Sequence, residues 1–157
     1  MELKRHETLS IGSTPTKRSP FFDPSTLPWS PWVMEGTEYK LLNLNPQTGG
    51  FTILLRVGPQ NVAPLHGHIG SLEGWILEGS FEYGTDQGKA GDYIYEAGGI
   101  RHEPTSRQGV TIFAIAFGPV CGYEADGRIA GILDARAMYD LAVSHGAAGH
   151  LEKPSHW

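Results

Sequence analysis

The stretch His66-Gly67-His68 constrains this chain more than any other segment. Side chains at i and i+2 of a strand point to the same face, so these two imidazoles can reach one point from one side of a sheet. That is half of a metal site, and it commits the segment to extended backbone. Glu73 stands five residues after His68, and another histidine, His102, lies on a later segment. Glycines bracket both pieces, Gly58 and Gly79 around the first and Gly91, Gly98 and Gly99 ahead of the second. Strand and turn are expected at both, rather than helix.

The remainder of the chain agrees with a β-rich fold. Its 157 residues suit one domain with a closed core. The 21 glycines and 11 prolines exceed the average share, and only one segment is patterned as a long helix, which favours an all-β, turn-rich class. A net charge of −5 with a pI near 5.7 argues against a nucleic-acid surface, which needs clustered cations to displace counterions from phosphate. The most apolar run, residues 110–120, is too short to span a bilayer and reads as a buried strand. Cys121 is the sole cysteine, so no internal disulfide can form, and the opening residues lack an apolar signal segment. A cytoplasmic protein with no nucleic-acid and no membrane partner is the expectation.

Three regions follow from the pattern. Residues 1–28 form a proline-rich arm whose Pro15, Pro20, Pro24 and Pro28 remove donors and restrict their predecessors, so no helix is expected there. Residues 29–120 form the barrel, opening on Trp29-Ser30-Pro31-Trp32, a patch read first as the anchor of the arm, with a pocket wall or a dimer contact as its other roles. Strands are expected at Tyr39–Leu44, Phe51–Val57, Leu65–His68, Leu72–Glu78, Phe81–Tyr83, Asp92–Glu96 and Val110–Phe117, with Gly79-Ser80 as a break and residues 84–88 as a hairpin turn. Short strands with frequent turns suit a double-sheet barrel.

Residues 121–157 supply a hairpin over Asp126-Gly127, one helix and a tail. Asp134 can cap the helix, Leu133 and Met138 occupy staple positions, and Met138, Leu141 and Ala142 make an apolar stripe that Gly146 ends. The tail, with Gly149, Pro154 and Trp157, is expected to be loose. His6, His145, His150 and His156 fall outside the metal pattern and are expected to be solvated.

The order Gly58, His66-x-His68, four residues, Glu73, Gly79 resembles the first cupin motif, and Gly91-x7-Gly99-x2-His102 resembles the second. Ala97 stands where the second motif usually has proline and Ser106 where it often has asparagine. The resemblance covers about residues 50 to 118 and implies a single-domain cupin, a jelly-roll barrel, here with an N-terminal arm and one C-terminal helix. It implies a metal held by His66, His68 and His102 as neutral imidazoles, for which ordinary histidines are the plainer alternative to each one taken alone. Two roles are open to Glu73, a direct ligand completing a three-His, one-carboxylate shell, or an acceptor that orients an imidazole. Glu96, six residues before His102, can hydrogen-bond a ligand or a metal-bound water, or sit on the rim in solvent. Arg56 can pair with a carboxylate or orient an enolate, or face water at its strand end. Of the aromatic residues Trp75, Tyr83, Tyr95, Phe113 and Phe117, core packing is the commoner use, and Tyr95 and Trp75 are the pocket candidates. Alternation points Arg101 and Glu103 away from the metal.

A narrower resemblance spans about residues 29 to 145. Trp29-x-Pro31-Trp32 ahead of Lys40-Leu41-Leu42, Leu54-Leu55-Arg56, Leu77-Glu78-Gly79-Ser80, Gly91-Asp92-Tyr93-x-Tyr95-Glu96 and Gly118-Pro119 with the Asp126-Gly127 hairpin look like the 2,4'-dihydroxyacetophenone dioxygenase and acetylacetone-cleaving enzyme group. This resemblance implies non-haem iron(II) on three histidines, with zinc, manganese and nickel as alternative ions. It implies a small-molecule substrate, O2 as co-substrate, cleavage of a carbon–carbon bond next to a carbonyl in a β-diketone or hydroxyketone, and a homodimer. Glu96, Arg56 and Tyr95 are the candidates to act on the substrate. Similar sequences include the zinc-binding sensor cupin of ChrR-type anti-sigma factors, although a helical domain to hold a sigma factor is not expected in the residues ahead of residue 29. A metal-binding sensor, or a non-oxidative isomerase or decarboxylase using the metal as a Lewis acid, is the alternative.

Overall fold

In the computed structural model the described residues are 21–157; the expectations placed on residues 1–20, including most of the arm and His6, lie outside them. Alternating apolar residues fix the central sheet. In β2 (Thr37–Asn45), β3 (Gly50–Val57) and β11 (Val110–Ala116), every second side chain faces one interior: Tyr39 and Leu41, Phe51 and Ile53, then Val110, Ile112, Ala114 and Ala116. Each large side chain so buried contributes about 1.5–3 kcal/mol. β11 lies between β3 and β6 (Leu72–Tyr83), antiparallel to both, with Ile112 opposite Leu55 on one side and Ile76 on the other.

Shorter strands complete that sheet: β1 (Ser30–Pro31), β4 (Asn61–Val62), β7 (Asp86–Lys89), β8 (Tyr93–Glu96) and β10 (Thr105–Ser106), nine strands among the described residues. A second sheet of four strands runs in the order β13 (Ile129–Leu133), β12 (Val120–Tyr123), β5 (His66–His68), β9 (Arg101–His102). The architecture is therefore all-β, two curled antiparallel sheets around one core, with one α-helix among the described residues, as the patterning implies.

Differences from the expected elements have local causes. The strand expected to break at Gly79-Ser80 runs on to Tyr83, because Gly79 takes φ +74° and bends the strand without ending it. A side chain there would meet the Gly109 carbonyl oxygen, 2.0 Å from an added Cβ, so only glycine fits the bend. The hairpin turn expected over 84–88 is tighter, since β7 already begins at Asp86. The arm, expected to hold no helix, contains one 3₁₀ turn at Pro24–Thr26, capped by the Asp23 carboxylate on the Ser25 amide at 2.8 Å.

Helix α1 (Ala135–Ser144) starts on the expected cap, Asp134 accepting from the Ala137 amide at 2.8 Å, and buries Met138 and Ala142 completely. Gly146, at φ +66°, then reverses the chain, and the tail returns across the barrel instead of hanging loose. Leu151 packs on the core and the Trp157 ring meets Tyr139 at 5.8 Å. His150 and His145 are drawn in with it, His150 Nε2 lying 2.7 Å from the Leu41 carbonyl and His145 Nδ1 lying 3.3 Å from the Tyr39 hydroxyl. Neither is simply solvated. Among the described residues no helix is long and apolar enough to cross a membrane.

Candidate metal centre

Pairing between β5 and β9 brings the histidines together. His66 stands directly opposite His102, and His68 lies two residues along β5 on the same face. Gly67 between them points the other way, where a Cβ would be 2.7 Å from the Ile100 carbonyl oxygen, so the small residue lets β5 lie close beside the segment leading into β9. Ligand nitrogens of the three imidazoles all lie within 4.8 Å of one another. His66 Nε2 and His102 Nε2 are 3.0 Å apart.

The tautomers follow from the surroundings. His66 Nδ1 donates to the Pro64 carbonyl oxygen at 2.8 Å, which leaves its Nε2 lone pair aimed at the cluster. Burial pushes the His66 imidazole below its ordinary value and the His102 imidazole down to about 4, each against an opposing pull from Glu96. Both rings are therefore neutral near pH 7, the form in which histidine binds a metal.

Glu96 completes the cluster. At 7 % exposure it is buried, with its Oε2 2.9 Å from His68 Nε2 and 3.6 Å from His102 Nε2. That Oε2 accepts no hydrogen bond and His68 Nδ1 makes none, although both atoms are buried. The other oxygen, Oε1, accepts from the Tyr83 hydroxyl, and the Tyr83 ring stacks on His102 with centroids 4.8 Å apart and planes 11° apart. Imidazole nitrogens crowded together beside a buried carboxylate oxygen, 2.9 Å from one of them, repel one another unless a proton or cation lies among them, so this donor set fits a divalent ion.

The other sequence candidates are elsewhere. Glu73 is on the outer face of β6, alternating with inward-facing Leu72, Gly74 and Ile76, and hydrogen-bonds Tyr93. It is not among the clustered ligands, and Glu96 is the carboxyl group that meets the histidines. Tyr95 pairs with Glu73 across β8 and β6 and is 61 % exposed on that outer face, as is Trp75 at 49 %. Arg56 also faces outward, bonding Glu38 at 3.3 Å and lying 3.9 Å over the Trp29 ring. Arg101 turns away from the cluster, over the Tyr123 ring.

Opening from the histidines is a cavity between the sheets, walled by Phe51, Leu55, Ile112, Trp32 and Met34 among others. The aromatic patch at the barrel's start is thus divided: Trp29 lies under Arg56, and Trp32 is a cavity wall whose indole N–H donates to Met138 Sδ at 3.4 Å. From sequence Tyr83 is read only as a core aromatic, and Met34 is not singled out. Tyr83 lies at the far end of β6, two residues after inward-facing Phe81, and that i, i+2 relation was the available signal.

Residues 17–120 match the ChrR cupin-like domain family. No protein of curated function matches the chain in sequence. Among solved structures, an RmlC-like cupin protein from Ralstonia eutropha is similar, with 21% identity, a TM-score of 0.74, and 85% of this chain and 90% of that chain covered. An acetylacetone dioxygenase from Acinetobacter johnsonii is similar at 15% identity and TM-score 0.73, over 84% of this chain and 95% of that one. The anti-sigma factor ChrR of Rhodobacter sphaeroides, solved with SigE, is similar at 22% identity and TM-score 0.50, over 59% of this chain and 49% of that chain. At these identities the likeness is one of fold.

Proposed function

The chain belongs to the ChrR cupin-like domain family, and from that premise we propose that it is an iron(II)-dependent dioxygenase cleaving a carbon–carbon bond next to a carbonyl in a small β-diketone or hydroxyketone. The observation that carries this reading is the convergence of His66, His68 and His102 beside an apolar-lined cavity that can take a small molecule. Bound on His66, His68 and His102, iron(II) would hold a chelating substrate and O2 together and stabilise developing negative charge. The similarity to an acetylacetone dioxygenase over most of both chains supports the choice of substrate class.

The protein's own residues orient and shield. Pro64 fixes the His66 tautomer, Tyr83 holds Glu96 through Oε1 and His102 through its ring, and Glu96 Oε2, beside His68 Nε2, can accept from a proton-bearing group brought to the histidines. The apolar wall excludes water. Arg56 and Tyr95 have no part in this reading, because both lie on the outer face.

Oxygen uptake by protein loaded anaerobically with iron(II), assayed against β-diketones and hydroxyacetophenones, tests the proposal. Uptake with a substrate and none in His102→Ala is expected. An active, metal-free His102→Ala would overturn it. A second reading, a metal-binding sensor without turnover holding zinc at the same histidines, is favoured by the family itself; tight metal binding with no oxygen uptake across the panel would select that reading or a non-oxidative enzyme.

A further inference from the structure

The outer face of the nine-stranded sheet breaks a rule of half-exposed sheets. An antiparallel sheet with one face in water alternates apolar residues inward with polar residues outward, yet the outward set here carries a continuous apolar row. Strand register puts Leu54, Phe113, Trp75 and Tyr93 side by side across β3, β11, β6 and β8. We infer that two copies of the chain meet at this face, sheet on sheet, about a two-fold axis running along the strands between β11 and β6. This pairing stands apart from whatever the metal centre does on the inner side.

The size of the patch matches what a pair needs. Trp75, Tyr93 and Tyr95 are 49 %, 55 % and 61 % exposed. A large aromatic side chain presents about 150–250 Å² in full, so each of these three offers roughly 75–150 Å². A stable pair buries about 800 Å² on each partner, a little over half of it apolar, which sets the need at about 450 Å² of apolar surface. The three rings, the exposed Leu77 and the edges of Phe113 and Leu54 supply it. Polar residues border the row, Thr111 and Glu78 on one side and Thr52 and Glu73 on the other, the arrangement of an apolar interface core inside a polar rim.

The occupant follows from the order of the residues. The proposed axis exchanges β11 with β6 and β3 with β8, so Phe113 lies on the partner's Trp75 and Leu54 on the partner's Tyr93, and each contact is made twice. In the bordering row it sets the Thr111 hydroxyl, a donor, against the partner's Glu78, an acceptor. An acidic or nucleic-acid partner finds no free cation on this face: Arg56 is bonded to Glu38, Lys40 to the Pro24 carbonyl, and both lie against the Trp29 ring. Trp29 covers the β2–β3 end of the face, whereas Trp75, Tyr93 and Tyr95 on β6 and β8 remain bare.

Sedimentation velocity of the full chain, from micromolar to near-millimolar concentration, tests this. A dimer is expected, and Trp75→Lys is expected to weaken it about 30-fold or more, the effect of losing an aromatic anchor at the centre of an interface. Ile129→Lys, at an equally exposed apolar residue on β13, is expected to leave the dimer intact. Zinc uptake should be the same in Trp75→Lys as in the wild type, because position 75 is on the face opposite the histidines. Hydroxyl-radical footprinting of the wild type over the same concentrations reads the interface whether or not the variant folds: Trp75, Tyr93 and Tyr95 should lose reactivity in step with dimer formation while Ile129 and Ile132 keep theirs. A wild type that is monomeric throughout, a dimer undiminished in folded Trp75→Lys, or a dimer that forms without protecting these three rings overturns the inference.

Discussion

Tyr83 holds the centre from two directions, with its hydroxyl on Glu96 Oε1 and its ring flat on His102. Replacing it with phenylalanine keeps the stack and removes the hydrogen bond, which separates the two contributions. Tyr83→Phe is expected to weaken metal binding by about 10–100-fold, the usual cost of losing a group that orients a ligand set. The same change leaves a buried acceptor unpaired, at a cost of about 1–3 kcal/mol of stability. Competition with a chromophoric chelator reads the first effect, and urea denaturation of the metal-free protein reads the second. An unchanged metal affinity would mean that Glu96 is held in place without Tyr83. A second tyrosine reports on the core. Burial raises the Tyr39 phenol to about 12, whereas in the unfolded chain it ionises near its ordinary value of 10. The unfolded state therefore sheds its proton first, so the stability due to the neutral phenol is intact below pH 10 and is lost as pH climbs towards 12. Tyr39→Phe is expected to flatten the decline in denaturation midpoint over that window, and an equally steep decline would place the alkaline weakness elsewhere.

At the scale of elements, the C-terminal helix and the cavity are one mechanical unit, because Met138 is both the helix's largest fully buried side chain and the acceptor for the Trp32 indole. Met138→Ala removes that acceptor and leaves a void behind the cavity wall. The expected loss is about 2–5 kcal/mol, with a change in tryptophan fluorescence as the indole shifts; a loss below about 1 kcal/mol would show that the helix collapses onto the gap. Removing the cap by Asp134→Ala should cost only about 0.5–2 kcal/mol and leave the emission alone, so the pair distinguishes helix stability from wall position. This helix was legible in the sequence, since a cap, a staple and a stripe are all local features. Strand β6 was legible as a strand but not as to which face is which. Leu72, Gly74 and Ile76 alternate with Glu73, Trp75 and Leu77, both sets are largely apolar, and only the curl of the sheet makes the first set interior. Glu73 enters the metal set by resemblance to a motif, and the pleat carries it to the opposite face. Glu96 is directly opposite Leu72 on β8 and shares the interior face, which required the strand pairing to be known.

In the whole molecule, the three histidines join segments 36 residues apart in the chain, His66 on β5 and His102 on β9, at the edge of the four-stranded sheet. That joining was legible in the sequence through the resemblance of two glycine-bracketed stretches to cupin motifs; the closure of the barrel by Trp32 and α1 was not, since it depends on contacts between residues more than a hundred positions apart. β9 has only two residues and pairs with β5 alone, so little besides this pairing holds His102 in register. A divalent ion shared by His66, His68 and His102 ties the two strands directly, and because it binds the folded arrangement its binding energy adds to folding energy. Free metal at about 100 times its dissociation constant stabilises the native state by about 2.7 kcal/mol. For a chain of this length, where each kcal/mol moves the midpoint by about 2–4 °C, the expected rise in Tm is about 5–11 °C. Zinc, nickel, manganese and iron(II) under anaerobic conditions can each be scanned against the metal-free protein by calorimetry. The rise should disappear in His102→Ala and, because Glu73 is on the outer face, persist unchanged in Glu73→Gln. Loss of the rise in Glu73→Gln would return that carboxylate to the ligand set and contradict the orientation of β6, whereas loss in Glu96→Gln with Glu73→Gln unaffected would tie metal affinity to the carboxyl group that faces the histidines.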